Sequence, residues 1–457
     1  MTLNTLDRTH DPSLRSWLES ANDPSSAFPI QNLPYCTIVR PHHQRGTVAV
    51  AIGDCVIDLS LLFQARLLDG IAGIDELGKG AIDGVAWNLN ALLELPRTAR
   101  VGLRHRLCEL LREDNHGLRD NPRLLEVAMR PIKDTEFGVP VEVGDYTDFY
   151  ASIHHASTVG AMFRPENPLL PNYKHVPIGY HGRSSSIVVS GKDIHRPVGQ
   201  QSPPEADPAA GPTYGPCKML DYELEVGCFI AGTNNLGEPT LIENAWERIG
   251  GLCLLNDWSA RDIQKWEYQP LGPFLAKNFA STVSPFVITP EALAPFRIPA
   301  SARPSGDPRP LNYLLDKDDQ ASGGFDITLE VLLQTKQMRA NGEAPMPVCK
   351  TRAFRDMYWT FAQMIAHHTS GGCNLRPGDL LGSGTVSGPG PSERGCLLEA
   401  TWDGPGKPRK PIQLPSGETR TFLADHDTVL LRAFCEKPGF RRIGFGDCSG
   451  TILPVRG

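Results

Sequence analysis

The chain has no CxxC pair among its 11 cysteines, which are scattered singly from Cys36 to Cys448. An odd number of unclustered cysteines argues against a disulfide framework and a zinc knuckle, and fits a reducing compartment. A basic excess is also missing: 45 Lys and Arg against 52 Asp and Glu leave a formal charge of −7, with no field to hold nucleic acid or anionic lipid. No apolar run reaches membrane-spanning length, and the opening MTLNTLDRTHDPSLRSWLES has no hydrophobic signal core. There is no GxSxG, so a serine nucleophile elbow is excluded. DLLGSGTVSGPG and IGFGDCSG fit neither GxGxxG opening a helix nor GxxxxGK[ST], and read as β-turns. Internal repeats and low-complexity tracts are absent as well. What remains is a soluble, cytoplasmic globular protein with a small-molecule partner.

The 44 glycines and 40 prolines in 457 residues favour many short strands joined by turns, hence a mostly β, α+β chain. Residues 1–27 are polar and read as a loosely held lead-in with one amphipathic turn around Leu14, Trp17 and Leu18. CTIV and TVAVAIGDCVIDL then predict strands, with Gly53-Asp54 as a hairpin turn. LLFQARLLDG, VAWNLNALLEL, RVGLRHRLCELLRE and NPRLLEVAMR carry three- and four-residue apolar spacing and predict helices. A boundary near 131–143 divides the chain into a first domain at 28–140 and a larger second domain at 141–457. In the second, 199–216 and 294–310 are Pro/Gly-rich and read as surface loops. RDMYWTFAQMIAHHTS predicts a long helix stopped by Gly371-Gly372.

Four carboxylates stand out. Glu223 and Glu225 in DYELEVGCFIAG share one face of a strand by its period of two. Asp257 follows the apolar run GGLCLLN, where a buried carboxylate needs a partner, and Asp148 lies in GDYTDFY. With no Cys or His in the set, oxygen ligands favour Mg²⁺ or Ca²⁺ over Zn²⁺. Judged by spacing alone, solvated acids at strand ends remain the commoner explanation.

GDYTDFYASIHHASTVGAMFR adds His155 as a general base and Arg164 as an anion stabiliser. The plainer account makes Asp148 the cap of a helix starting at Phe149 and leaves Arg164 solvated. Adjacent histidines on a helix diverge by about 100°, so His154-His155 put at most one ring in a site, and His367-His368 read as helix-end residues. In NDWSARDIQKWEYQPLGPFLAKN, Gln264, Tyr268 and Lys277 can reach one pocket, though each alone is as well explained by surface or packing. Glu399 in LLEATW reads as a strand carboxylate.

Taken in order, DYTDFYASIHHA, PIGYHGRSSSIVVSG, LDYELE, NDWSARDIQKWEYQPLGPFLAK, NLRPGDLLGSGTVSG and RIGFGDCSGTILP, with FPIQNLPY at 28–35, closely resemble the fumarylacetoacetase (fumarylacetoacetate hydrolase) family. The resemblance runs over nearly the whole chain from Phe28. It implies a small N-terminal SH3-like barrel with helices, a larger mixed β-sandwich roll holding the active site, and a homodimer.

By position, the resemblance makes Asp148, Glu223, Glu225 and Asp257 the ligands of a divalent cation, Ca²⁺ or Mg²⁺, with Lys277 and Ser281 beside it. Ser281 stands where the family usually has threonine, and the hydroxyl is kept. His155 becomes the catalytic histidine and Glu399 its partner. Arg164, Gln264 and Lys277 flank the oxyanion and leaving carbanion, while Tyr150, Tyr180, Tyr268 and Thr385 contact substrate. The implied reaction is hydrolysis of the carbon-carbon bond of 4-fumarylacetoacetate in tyrosine and phenylalanine catabolism. A relative acting on another diketone or a 2-oxo acid, and a cation-stabilised binding protein without turnover, are the competing readings.

Overall fold

The computed structural model describes residues 5–40, 46–77, 88–204 and 207–456. The chain is α+β. Strands Tyr35–Ile38, Thr47–Ile52, Cys55–Asp58 and Met129–Pro131 form a four-stranded antiparallel sheet in chain order. Ile52 pairs with Cys55 across the expected two-residue turn, where Gly53 takes a φ of +57° that a side chain resists. Asp58 ends its strand and caps helix Leu59–Gln64 through the N–H groups of Ser60 and Leu61. Asn88 and Asn121 cap Leu89–Glu94 and Pro122–Ala128 in the same way, and Arg97–Leu111 is the long helix of this unit. Residues 85–87 of the expected helix VAWNLNALLEL lie outside the described residues.

A seven-stranded mixed sheet runs in the order Gly179–Gly182, Tyr146–Phe149, Leu380–Gly382, Leu224–Ile230, Ile249–Asp257, Ser281–Val283 and Ile187–Val189. The pairings of Tyr146–Phe149 with Leu380–Gly382 and of Ser281–Val283 with Ile187–Val189 are parallel, and the others antiparallel. The second large sheet is Met346–Ala353, Ile327–Gln334, Thr428–Cys435, Ile443–Leu453 and Ile194–His195. One face of the seven-stranded sheet, with Leu224, Val226, Leu252 and Leu254, shares a core with that second sheet. Its other face, with Tyr146, Leu255, Val283 and Leu380, shares a core with the N-terminal helices. Central strands covered on both faces need apolar residues throughout, which is why Ile249–Asp257 is buried at all nine positions.

Several sequence expectations change. Residues 5–27 are held, not loose: His10 Nε2 meets the Glu291 carbonyl at 2.7 Å, Ser16 Oγ the Leu111 carbonyl at 2.8 Å and Trp17 Nε1 the Leu110 carbonyl at 3.0 Å. The two ends of the 199–216 stretch pair as strands, Val198–Gln201 on Thr213–Pro216, so the loop is anchored at its base. Within 294–310, Ala294–Phe296 is a buried turn. The long helix begins only at Phe361, because Thr360 and Gln363 make a reciprocal capping box, and it ends at Thr369. All eleven cysteines are free, ten of them buried.

Candidate active site

The four acids reach the site from three separate parts of the chain. Asp148 lies in Tyr146–Phe149, Glu225 in Leu224–Ile230 with Glu223 just before it, and Asp257 ends Ile249–Asp257. Asp148 is thus a strand residue and not a helix cap; Ser152 caps the helix Ile153–Phe163 that follows. By the strand period, Asp148 follows Tyr146, and Asp257 follows Leu255, on the face that the N-terminal unit covers. The acids occupy the end of that face. One oxygen from each of the four lies within 4.8 Å of the others, and all four side chains are buried. Gly382 sits opposite Asp148, and a Cβ there would come within 2.4 Å of Asp148 Oδ1 and 2.9 Å of Glu225 Oε2. Only glycine leaves room for the cluster.

Two buried cations answer four acids. Lys277 Nζ donates to Glu223 at 2.5 Å and Asp257 at 2.9 Å, and Arg261 Nη1 donates to Glu223 Oε1 at 2.7 Å. Burial pushes Asp148, Glu225 and Asp257 above the usual carboxylate range, reinforced by their neighbouring acids. Glu223 goes the other way: against its burial, Lys277 and Arg261 hold it low. Glu225 Oε1 is buried with no hydrogen-bond partner. Uncompensated charge, an orphaned oxygen and an oxygen-only donor set are what a hard divalent cation satisfies, so the residues fit one. Ser281 Oγ donates to Asp257 Oδ1 at 3.0 Å and Tyr180 Oη to Asp257 Oδ2 at 2.8 Å, fixing that carboxylate from both sides.

The second constellation joins His155 and Glu399. His155 Nδ1 lies 2.6 Å from Glu399 Oε2, and both side chains are buried. Against a carboxylate Nδ1 carries the proton, leaving the Nε2 lone pair free. Glu399 is not a strand residue as expected; it lies in the short helix Leu397–Ala400. Burial raises its carboxyl, but the His155 imidazole and the Ser387 hydroxyl, 2.7 Å away, bring it below the usual range. Tyr150 presses its ring against His155 edge-on, with centroids 5.3 Å apart. The two constellations adjoin: Asp221 accepts from the N–H groups of Leu397 and Leu398 in the Glu399 helix and from Arg261 Nε, and Arg261 Nη1 donates to Glu223. His154 turns away toward Asp356 at 3.9 Å, as the helical divergence requires. His367 and His368 also part company, meeting Tyr313 and Thr147.

The other expected residues scatter more. Gln264 Oε1 accepts from Arg261 Nη1 at 3.1 Å, which puts it beside Glu223. Thr385 is buried with its hydroxyl unpartnered. Tyr268 stacks at a tilt on Phe163, centroids 5.7 Å apart. Arg164 follows the last residue of helix Ile153–Phe163, with Nη2 on the Pro168 carbonyl at 3.3 Å. Nine residues separate it from His155, about 13 Å of helix rise. The guanidinium among the acids is Arg261, which sequence reasoning passed over. Asp221, which it grips at 3.0 Å, was also missed. Both lie in quoted segments, and the signal for Asp221 was the two-residue spacing it shares with Glu223 and Glu225.

Fold and site together define a class: an α+β chain with a buried cluster of four acids fit for a metal ion and a His–Glu pair beside it. Residues 31–140 match the family model described as fumarylacetoacetase N-terminal, and residues 146–453 the one described as fumarylacetoacetate (FAA) hydrolase C-terminal. The chain is 46% identical over 442 residues to the fumarylacetoacetase of Arabidopsis thaliana (96% of this chain, 99% of the relative). It is 48% identical over 436 residues to that of Caenorhabditis elegans (94% and 97%) and 46% over 441 to that of Homo sapiens (96% and 99%). The chain belongs to the fumarylacetoacetase family.

Proposed function

We propose that the chain hydrolyses the carbon-carbon bond of 4-fumarylacetoacetate, giving fumarate and acetoacetate. The observation that carries this reading is the 2.6 Å His155–Glu399 pair beside the four-acid cluster, in a chain matched almost end to end by fumarylacetoacetases. Cleaving a β-diketone requires an activated water, donors for an oxyanion and a sink for the leaving carbanion. His155 takes a proton from water at Nε2, while Glu399 orients the ring and stabilises the imidazolium. The water oxygen attacks the carbonyl next to the fumaryl unit, and Gln264 and Lys277 donate to the oxyanion that develops. Collapse breaks the carbon-carbon bond and expels acetoacetate as its enolate, which recovers the proton from His155. Asp148, Glu223, Glu225 and Asp257 would hold a divalent cation, which we take to be Ca²⁺ or Mg²⁺, and that cation would supply Lewis-acid stabilisation of the enolate charge.

Arg164, first grouped with the oxyanion donors, suits the terminal carboxylate of the fumaryl group better, given its distance from His155 along the helix. Tyr150, Tyr180, Tyr268 and Thr385 line the remaining path of the substrate, and the orphaned Thr385 hydroxyl supports a polar contact there. Ser281 and Lys277 hold Asp257 for the cation. Family membership further supports a cytoplasmic homodimer acting in the last step of tyrosine and phenylalanine breakdown.

The test follows loss of fumarylacetoacetate by the purified chain with and without a chelator, beside a folded His155→Ala variant. Turnover that the chelator abolishes, that Mg²⁺ or Ca²⁺ restores and that the variant lacks is the expected result. Turnover of oxaloacetate with none of fumarylacetoacetate would overturn the assignment.

A further inference from the structure

Asp221 is fully buried and its carboxylate is saturated. Oδ1 accepts from the backbone N–H of Tyr222 at 2.9 Å and of Leu397 at 2.8 Å; Oδ2 accepts from the N–H of Leu398 at 2.9 Å and from Arg261 Nε at 3.0 Å. A carboxylate offers about four acceptor positions, so nothing is left for substrate or cation. Its partners belong to the two halves of the site. Leu397 and Leu398 open the four-residue helix that carries Glu399, whose own N-cap, Cys396, makes no side-chain cap. Arg261 passes from Asp221 to Glu223 and Gln264 through Nη1. A single helical turn has no stability of its own, so the cap supplied by Asp221 fixes where Glu399 stands.

We infer that Asp221 is a positioning residue that sets the spacing between the His155–Glu399 base and the Glu223–Gln264 half of the site. The inference rests on the proposed reaction for its kinetic consequence, and on geometry alone for its effect on the cation site. When the charge is removed, as in Asp221→Asn, one of the two oxygens becomes an NH₂ group that cannot accept, so either the cap on the Glu399 helix or the hold on Arg261 is lost in part, and Arg261 bears more on Glu223, competing with a cation for it. Misplacing a catalytic group by about 1 Å costs on the order of 10²-fold in rate.

A matched control exists far along the chain. Asp427 is equally buried and accepts from Arg420 at 2.7 and 2.9 Å and from the Ala424 N–H at 2.8 Å, with no member of the site among its partners. Asp221→Asn and Asp427→Asn, made in the full chain, are compared for melting temperature, Mg²⁺ and Ca²⁺ affinity, kcat, KM and the pH profile of kcat/KM. In Asp221→Asn, kcat is expected to fall about 10²-fold with KM little changed, the acidic limb of the profile to move, and cation affinity to weaken. In a Glu399→Gln background the part of the kcat loss that runs through the base disappears, while the weakening of cation affinity, which runs through Arg261 and Glu223, remains. Asp427→Asn lowers the melting temperature and leaves kcat and the profile alone.

An Asp221→Asn chain that melts lower yet keeps kcat, profile and cation affinity would overturn the inference. Should that variant not fold, Asp221→Glu keeps the charge and displaces the helix by a methylene, and the same outcomes decide. If the wild-type chain does not turn over fumarylacetoacetate, the proposed reaction fails on its own, and unchanged cation affinity in Asp221→Asn still overturns the positioning role.

Discussion

Strand Leu224–Ile230 of the seven-stranded sheet is buried at every residue, whereas Thr428–Cys435 of the five-stranded sheet alternates buried and more open positions. Charges on the five-stranded sheet lie on the open face and pair across strands, Lys350 with Glu330 at 2.8 Å and Arg432 with Asp447 at 3.0 Å. On the seven-stranded sheet Glu225 and Asp257 point inward, and the excess of acid over base has no solvent to relieve it. Open pairs of this kind contribute little, because water already screens them. The inward acids repel one another, and a bound cation would relieve that repulsion. Charge is tolerated in one sheet and put to use in the other.

The contrast breaks hardest at Glu225. Glu225→Gln should cost on the order of 10³-fold in activity, comparable to losing a strong electrostatic stabiliser. With chelator present, the same variant should melt a few degrees above the wild type, since one repelling charge is gone. A calorimetric scan in chelator checks this, and a lower melting temperature would contradict the account of the cluster. Gln264→Ala should lower kcat about 10²–10³-fold with the melting temperature unchanged. Steady-state kinetics on the folded variant decides, and full activity would remove Gln264 from its assigned role.

A weaker effect separates the sheets by pH. The folded values of Asp148, Glu225 and Asp257 lie above their unfolded ones, that of Asp148 at about 8. The folded chain therefore holds more protons than the unfolded chain between roughly pH 4 and that raised value, and stability falls as pH rises through this window. The fall should appear in chelator and largely vanish with saturating Mg²⁺ or Ca²⁺, as melting curves across pH will show. The smallest effect belongs to the open face. Arg432→Ala or Lys350→Ala should change stability by less than about 0.5 kcal/mol and leave activity intact. A larger loss in chemical denaturation would mean that those pairs are more than solvated neighbours.

Much of the site was legible because its residues cluster in short segments. Glu223 and Glu225 declare a shared face through a period of two, and His155 separates from His154 through helical geometry. Other residues were not legible alone. Asp148 stood out as a candidate ligand but was as well explained as a helix cap, because an aspartate just before a helical pattern usually is one, and only the pairing of Tyr146–Phe149 with Leu380–Gly382 and Gly179–Gly182 makes it a strand residue. Glu399 read as a strand carboxylate because a four-residue helix is too short to show a period. The long helix was drawn six residues early, since the apolar spacing of Met357, Tyr358 and Trp359 imitates a helix that the Thr360–Gln363 capping box in fact begins.

Local chemistry was therefore set by the sequence alone: which residues are acids, bases and donors, which segments have strand or helix periodicity, and, through segment order, the family. Tertiary structure decided which of them meet. Asp148 and Glu399 are 251 residues apart, and no local pattern reports on contact across such a distance. Whether Arg164 or Arg261 stands among the acids depended on the direction in which a helix leaves the site. Whether an acid was solvated or buried depended on a second layer of chain covering both faces of one sheet, because burial, which makes charge chemically useful, is a property of packing and not of residue type.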